Sequence, residues 1–228
     1  MKNAMTIPTE VANDLKQQHS KLWDKLLNHK FISDIEMDCL PLENFIFYLQ
    51  QDQLFLKEFC AFLLKARKKT TETKLRNWFD ALNSSTVNYE MQMQRELLSS
   101  LGISYLDCTS VKAASATRNY IFFLRRVSSS GSLVEMVSAM SPCPWSYLEI
   151  AEKLCGRKSR IKTEVYRRWI DFYASKESRR QVRELKTILG TRYLKANRKA
   201  RRLMKINFGS ACSYEYRFWE MSYHRHMV

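Results

Sequence analysis

The scarcity of glycine and proline is the feature of this sequence that most restricts its fold. Only 5 Gly and 4 Pro occur among the 228 residues. Sheet-rich folds need many turns, and turns draw heavily on these two residue types. A chain with so few of them favours long helices joined by short connections, and its length suffices for one domain with a sizeable core.

Hydrophobic spacing supports this interpretation, because apolar residues recur three and four positions apart in almost every segment. We find no strand-like alternation, internal repeat or interdomain linker. The sequence therefore predicts an all-α, single-domain helical bundle over residues 1–228, with its core at about 9–224. The predicted helices begin near Pro8, Pro41, Thr71, Ala113, Leu133, Lys162 and Ser210, with stops at Gly102, at residues 128–132 and at Gly190.

Signals for export, membrane insertion and disulfide formation are missing. The polar segment 1–17 lacks the apolar stretch of a signal peptide, and no apolar run approaches the roughly 18 residues of a membrane span. We therefore expect a cytoplasmic protein. Its cysteines have no C-x-x-C pairing, and we expect most of them to be buried free thiols. They are Cys39, Cys60, Cys108, Cys143, Cys155 and Cys212.

The chain is strongly basic, with a formal net charge of +15. Residues 157–205 carry nearly all of this excess, with 18 Lys or Arg against 4 Asp or Glu. Such a block could bind nucleic acid or another anionic surface. The alternative is a solvated helical face, and we favour it because no nucleic-acid-binding motif accompanies the charge. Binding to nucleic acid or to a membrane is therefore not expected.

Motifs for metals, nucleotides and serine nucleophiles are also missing from the sequence. The four histidines, His19, His29, His224 and His226, form no Glu-x-x-His pair and no cluster with zinc spacing. A role of His19 or His29 as a single haem ligand is an open alternative to a structural role. No phosphate-binding glycine loop and no G-x-S-x-G motif occurs. We expect neither a metal nor a cofactor.

Cys143 is the first candidate for chemistry, because it lies between Pro142 and Pro144. Proline breaks or kinks a helix, and Pro144 suits the first position of a new one. Cys143 would then be the cap residue, where the helix dipole lowers the pKa of a thiol and favours the nucleophilic thiolate. Tyr147 follows at i+4 on the same face. The alternative is a buried thiol beside a structural kink.

Two carboxylates embedded in aromatic segments are further candidates. Asp52 shares a helical face with Tyr48, Phe55 and Phe59, and Glu215 lies in the run Y-E-Y-R-F-W that begins at residue 214. Asp52 could accept hydrogen bonds from an amine or an amidine-like ring edge. Burial would raise the pKa of Glu215 and prepare it to donate a proton. The alternatives are a bond from Asp52 to Tyr48 or to a cation, and a Glu215 salt bridge with Arg217 or the basic helices.

Four segments in order along the chain resemble the TenA family, also called thiaminase II or aminopyrimidine aminohydrolase. They read Y-x-x-Q-D-x-x-F-L from residue 48, A-x-x-P-C-x-W-x-Y-x-E from residue 139, Y-x-x-W-I-x-x-Y from residue 166, and Y-E-x-x-F-W-x-M-x-Y from residue 214. Each motif alone is weak, but four in register are specific. The resemblance extends from about residue 15 to 223.

The resemblance implies a haem-oxygenase-like fold without haem and a homotetramer built as a dimer of dimers. It implies a hydrolase of thiamine salvage that converts 4-amino-5-aminomethyl-2-methylpyrimidine to the hydroxymethylpyrimidine and ammonia; many members also cleave thiamine. By resemblance, Cys143 is the nucleophile, Glu215 the acid/base, and Tyr120 a tyrosine near the catalytic centre. Asp52 would bind the polar edge of the pyrimidine, and Tyr147 and Tyr173 would line the substrate site.

Phe55 departs from the family pattern, in which a tyrosine often stands three residues after the binding aspartate. A phenyl ring keeps the packing but loses a hydroxyl that would assist the cysteine. We expect an enzyme slower by about tenfold, since one hydrogen bond to a charged group contributes roughly 1.5–3 kcal/mol and Tyr120 compensates in part. The alternative is a catalytically weak or inactive pyrimidine-binding protein of the same fold.

Overall fold

The structure is a computed structural model that describes residues 6–104 and 110–228. Every regular element in these two ranges is helical, which confirms the all-α prediction. Cys108 and most of the predicted loop at 103–111 lie outside the described residues. The α-helices described are α1 (Thr6–Gln17), α2 (Ser20–Leu27), α3 (Lys30–Glu36), α4 (Leu42–Lys68), α5 (Thr73–Ser85), α6 (Met91–Ser100), α7 (Ser115–Ser130), α8 (Leu133–Met140), α9 (Pro142–Cys155), α10 (Glu164–Tyr173), α11 (Lys176–Lys195) and α12 (Arg198–His224).

The two long helices α4 and α12 pack against each other and against most of the other helices. α4 follows the extended residue Pro41 and ends in a basic turn, as the sequence predicts. It is buried on more than one side because α5, α7 and α12 all contact it. One hydrophobic cluster extends from Ala12 to Met221, so the helices share a single core.

Two predicted helix boundaries are wrong because packing overrides local propensity. The break expected at Gly190 does not occur, and α11 passes through this residue without interruption. A Cβ atom at Gly190 would overlap the carbonyl group of Pro8, so glycine here permits the close approach of α1. The last helix begins at Arg198 rather than near residue 210, and its N-cap Asn197 accepts a hydrogen bond from the Ala200 N–H.

The segment predicted as one helix over 71–100 consists of three parts. α5 and α6 are joined by a π-helical turn, Thr86–Glu90. A π turn widens the helix by one residue and shifts the faces on either side of it, and such turns are frequent at functional sites. The segment ends as predicted at Gly102, whose positive φ of 78° suits glycine. Glu90 is the last residue of this turn and directly precedes α6.

No helix in the two described ranges is both long and apolar enough to cross a membrane.

Candidate active site

Cys143 lies in the first turn of α9, directly after a kink. α8 ends at Met140, Ser141 is the N-cap residue of α9, and Pro142 takes the first helical position. The prediction that Pro144 starts this helix and that Cys143 caps it is therefore wrong. Proline is suited to the first position, because the N–H groups there have no partner within the helix. The helix N-terminus at the cysteine, which motivated the prediction, is nevertheless present.

The pKa of Cys143 is raised well above its ordinary value, so the predicted lowering is wrong. Burial of the thiol is the main cause, followed by the charges of Glu215, Glu90 and Asp52. A low-dielectric site and nearby negative charge both disfavour the thiolate. The helix dipole contributes only about 0.3–1 kcal/mol in the opposite direction. The thiol is therefore neutral at neutral pH.

Glu215 is buried beside this thiol. Its carboxyl group accepts a hydrogen bond of 2.6 Å from the Tyr120 hydroxyl, and its charge is the one that most raises the pKa of Cys143. Burial is the main reason that its pKa rises to about 8, as the sequence predicts in direction. The alternative of a salt bridge with Arg217 is wrong. A carboxylic acid with this pKa holds a proton at neutral pH and can donate it.

Asp52 lies in the same buried layer on α4. Its Oδ2 accepts a hydrogen bond of 2.6 Å from Gln94 Nε2 and a longer one of 3.4 Å from the Tyr48 hydroxyl. The Tyr48 hydroxyl in turn accepts a 3.0 Å bond from the indole N–H of Trp169. Burial raises the pKa of Asp52 to about 7 despite these bonds. The Tyr48 bond that we considered as an alternative is therefore present.

A cavity of about 640 Å³ opens beside these residues. Its volume lies within the range of roughly 300–1,000 Å³ that small-molecule sites occupy. Cys143, Tyr147 and Tyr173 line it, and the rings of the two tyrosines are 4.9 Å apart. The thiol therefore faces a space that a ligand can enter.

The structure brings the predicted site residues together in two layers. Cys143, Tyr147 and Tyr173 line the cavity, whereas the remaining four form the buried layer behind them. In that layer the ring of Phe55 packs 4.6 Å from that of Tyr120, which itself bonds to Glu215. The residues of this buried layer are Asp52, Phe55, Tyr120 and Glu215.

Sequence reasoning missed Glu90 and Gln94. Glu90 ends the π turn, lines the cavity and accepts a 2.7 Å hydrogen bond from the Tyr173 hydroxyl. Gln94 is fully buried and holds Asp52. A signal was available, because Thr86, Glu90 and Gln94 recur at intervals of four residues, so polar side chains stand where a core-facing helical stripe is normally apolar.

The two histidines considered as ligands lie in contacts between helices. His29 accepts a hydrogen bond from the Phe31 N–H through Nδ1 and pairs with Glu220 through Nε2 at 2.9 Å. His19 stacks on Phe208. Within the described residues, no group of three or more His, Cys, Asp or Glu side chains could hold a metal ion.

The cysteines outside the site are free thiols with varied exposure. Cys60 and Cys212 are buried, Cys155 is half-buried, and Cys39 is exposed. The expectation that most are buried is therefore met only in part.

The basic stretch 157–205 lies largely on the surface, and many of its cations form ion pairs. Arg180 pairs with Glu177 and Glu184 within α11, and Arg192 pairs with Glu72 of the α4–α5 connection. This arrangement favours the interpretation of a solvated helical face.

Comparison with known proteins identifies similar sequences over almost the whole chain. An aminopyrimidine aminohydrolase of Halalkalibacterium halodurans is 28% identical over 216 residues, which cover 95% of this chain and 96% of that protein. The fold is equally similar to solved structures. A TenA homologue from P. horikoshii OT3 superposes with a TM-score of 0.87 at 26% identity, covering 94% of this chain and 98% of that one.

A more distant structure confirms the fold type. A domain of unknown function from Shewanella denitrificans, described as having a heme oxygenase-like fold, has a TM-score of 0.74 at 13% identity and covers 93% of this chain and 92% of its own. The sequence profile of the TENA/THI-4/PQQC family matches residues 16–225. This chain therefore belongs to the TENA/THI-4/PQQC family.

Proposed function

We propose that this protein is an aminopyrimidine aminohydrolase of the thiaminase II type, which hydrolyses 4-amino-5-aminomethyl-2-methylpyrimidine to the hydroxymethylpyrimidine and ammonia. The observation that carries the proposal is the position of Cys143 on the wall of an open cavity, with the buried Glu215 carboxyl near enough to raise the pKa of its thiol. A nucleophile and a proton donor that lie this close together can both engage one small ring. Similarity to named aminopyrimidine aminohydrolases supports the choice of substrate.

The raised pKa values of Cys143 and Glu215 suit a proton relay. Protonated Glu215 gives its proton to the pyrimidine ring, and the resulting carboxylate takes the proton of the neighbouring thiol. The protonated ring is electron-poor, so the thiolate adds to a ring carbon and electrons move toward the exocyclic methylene. The amine of the side arm is protonated near neutral pH, so when its C–N bond breaks the bonding pair goes to nitrogen and neutral ammonia leaves. Water adds to the methylene, and its proton goes to the sulfur as the thiolate departs from the ring.

Asp52 and the tyrosines position the ring in this proposal. The Asp52 carboxyl, held by Gln94, accepts hydrogen bonds from the amino-substituted edge of the pyrimidine. Tyr147 and Tyr173 provide aromatic walls for the flat ring. Tyr120 donates to Glu215 and keeps its carboxyl oriented toward the thiol.

The test is to incubate the purified protein with the aminomethylpyrimidine and to measure ammonia release, comparing wild type with Cys143→Ser. We expect steady release from wild type and a loss of about a thousandfold or more in the variant, because removing a nucleophile commonly costs that much. An unchanged rate in Cys143→Ser would refute the role of the thiol. The exposed Cys39 provides the matched control, Cys39→Ser, which we expect to be fully active.

Phe55 favours a second candidate, a pyrimidine-binding protein with weak or no turnover. Its ring fills the space beside Tyr120 without a hydroxyl to assist the cysteine. Tight binding of hydroxymethylpyrimidine in calorimetry, without ammonia release from the amine, would favour this candidate over the enzyme.

Further parts of the proposal follow from the family resemblance. Cleavage of thiamine at the same methylene is compatible with a cavity of about 640 Å³, and thiazole release measures it. We also propose a cytoplasmic location and a homotetramer. Sedimentation at several protein concentrations tests the assembly.

A further inference from the structure

Glu90 is a third carboxyl group at the cavity, half-buried in its wall, and the relay described above does not use it. It lies at the end of the π turn and accepts the hydrogen bond of the Tyr173 hydroxyl at 2.7 Å. Burial and the neighbouring Asp52 raise its pKa to about 8. Unlike Asp52 and Glu215, it lines the open cavity together with Cys143.

The cavity is biased toward positively charged ligands. No Lys or Arg occurs among the described residues of its wall, and of its two acids Glu177 is paired with Arg180, whereas Glu90 has no cation bonded to it in the described part of the chain. After Glu215, Glu90 is the charged group that most affects the Cys143 thiol. A cation bound between Glu90 and the thiol would stabilise the carboxylate and the thiolate together, because opposite charge lowers the pKa of both.

We infer that Glu90 binds the protonated aminomethyl group of the substrate and thereby makes the site selective for a cationic leaving group. The inference rests on the proposed function, in which the substrate carries an amine on the exocyclic methylene of the ring that Cys143 attacks. A primary alkyl amine is protonated near neutral pH. The ammonium donates to the Glu90 carboxylate, and when the C–N bond breaks the nitrogen keeps the bonding pair and departs as neutral ammonia.

This assignment separates the roles of the three acids by position. Glu215 and Asp52 lie in the buried layer, bonded to Tyr120 and Gln94 respectively, whereas Glu90 lies in the wall of the open cavity. The hydroxyl of Tyr173 orients Glu90 without neutralising it. Glu90 is thus the acid that binds a cationic group on the methylene more tightly than a neutral one.

Binding measurements test the inference independently of turnover. In a Cys143→Ser background, calorimetry gives the affinities for the aminomethylpyrimidine, which is cationic, and for the hydroxymethylpyrimidine, which has no charged side arm. We expect Glu90→Gln to weaken binding of the aminomethyl compound by about 10- to 100-fold, the range of a charged hydrogen bond, and that of the hydroxymethyl compound by less than about threefold. Glu96→Gln on the surface of α6 is the matched control and should change neither affinity.

The possible outcomes separate this inference from the proposed function. Equal weakening of both ligands by Glu90→Gln would show a structural role and overturn the inference, as would unchanged binding of both. Selective weakening supports it even if the wild-type protein releases no ammonia, in which case the proposed hydrolysis fails alone. Ammonia release by wild type combined with unselective binding would leave the hydrolysis standing and remove the role of Glu90.

Discussion

The cavity and the surface of α11 carry ionisable groups under opposite physical conditions. Arg180 and its partners Glu177 and Glu184 remain about half exposed, so water and salt screen them. Glu215 and Asp52 are almost completely buried, and neither forms an ion pair with a cation in the described part of the chain. Their pKa values consequently move to about 8 and about 7, respectively.

The difference between exposed and buried charges shows which of them help to identify a functional site. The surface of 157–205 holds most of the positive charge of the chain, yet exposed ion pairs contribute only about 0–1 kcal/mol each. A buried acid without a cation costs several times more, so a fold retains it only where the structure holds it in place. Perturbed acids in a cavity therefore identify a site better than the net charge of +15 does.

The largest expected contrast is the loss of activity when the same substitution is made in the two regions. Glu215→Gln removes the proton donor, and we expect kcat for ammonia release to fall by about 10²- to 10⁴-fold. Glu184→Gln on α11 removes an equal charge at the surface and should leave kcat within about twofold. Similar losses in both variants would show that overall charge, rather than the site, controls activity.

The pH dependence of stability sharpens the comparison next. Glu90 and Glu215, with pKa values near 8 in the fold, keep protons that the unfolded chain releases near pH 4, so rising pH favours unfolding until about pH 8. The lowered pKa values of His19 and His29 act only below their ordinary 6.5. Between pH 6.5 and pH 8 we expect the free energy of unfolding to fall by about 3 kcal/mol.

Denaturant titrations at several pH values measure this loss. Glu215→Gln removes one of the two groups with a pKa near 8 and should show a shallower decline than wild type. A stability that is constant or rises over this range would contradict the raised pKa values.

Phe55→Tyr adds one oxygen atom to the buried layer beside the cavity and tests whether a hydroxyl there increases turnover. The added hydroxyl restores the group expected beside the cysteine, and we predict an increase in kcat of about tenfold, equivalent to about 1.4 kcal/mol. The melting temperature of the variant must be measured as a control, because Phe55 is packed against Tyr120 and Phe59. A well-folded variant with no gain would remove the explanation of slow turnover by Phe55.

The smallest effect is expected on the surface. Arg180→Ala breaks two ion pairs whose members are about half exposed, and the free energy of unfolding should fall by less than about 1 kcal/mol. Urea denaturation at low and high salt measures it, and the difference from wild type should shrink as salt screens the pairs. A loss of several kcal/mol would mean that this surface is not the solvated face that we describe.

Much of the fold could be predicted because the relevant signals are local. The few glycines and prolines, the apolar spacing of α4 and the stop at Gly102 act over one or two helical turns. The candidate residues Cys143, Asp52 and Glu215 were also identifiable, because each lies in a segment with family-like spacing. The error at Gly190 arose because its neighbour Pro8 is distant along the chain.

The sequence by itself determined that this chain is an all-α protein with one cysteine between two prolines and two acids in aromatic segments, since helix propensity and periodicity depend on near neighbours. Only the tertiary structure decided the protonation of the site. The helix start at Pro142 lowers the pKa of a thiol, whereas burial and three acids from other helices raise that of Cys143 much more. Glu90 and Gln94 likewise gained a role only when folding brought α6 and the π turn against α4, because electrostatic interactions depend on distance in space and not along the chain.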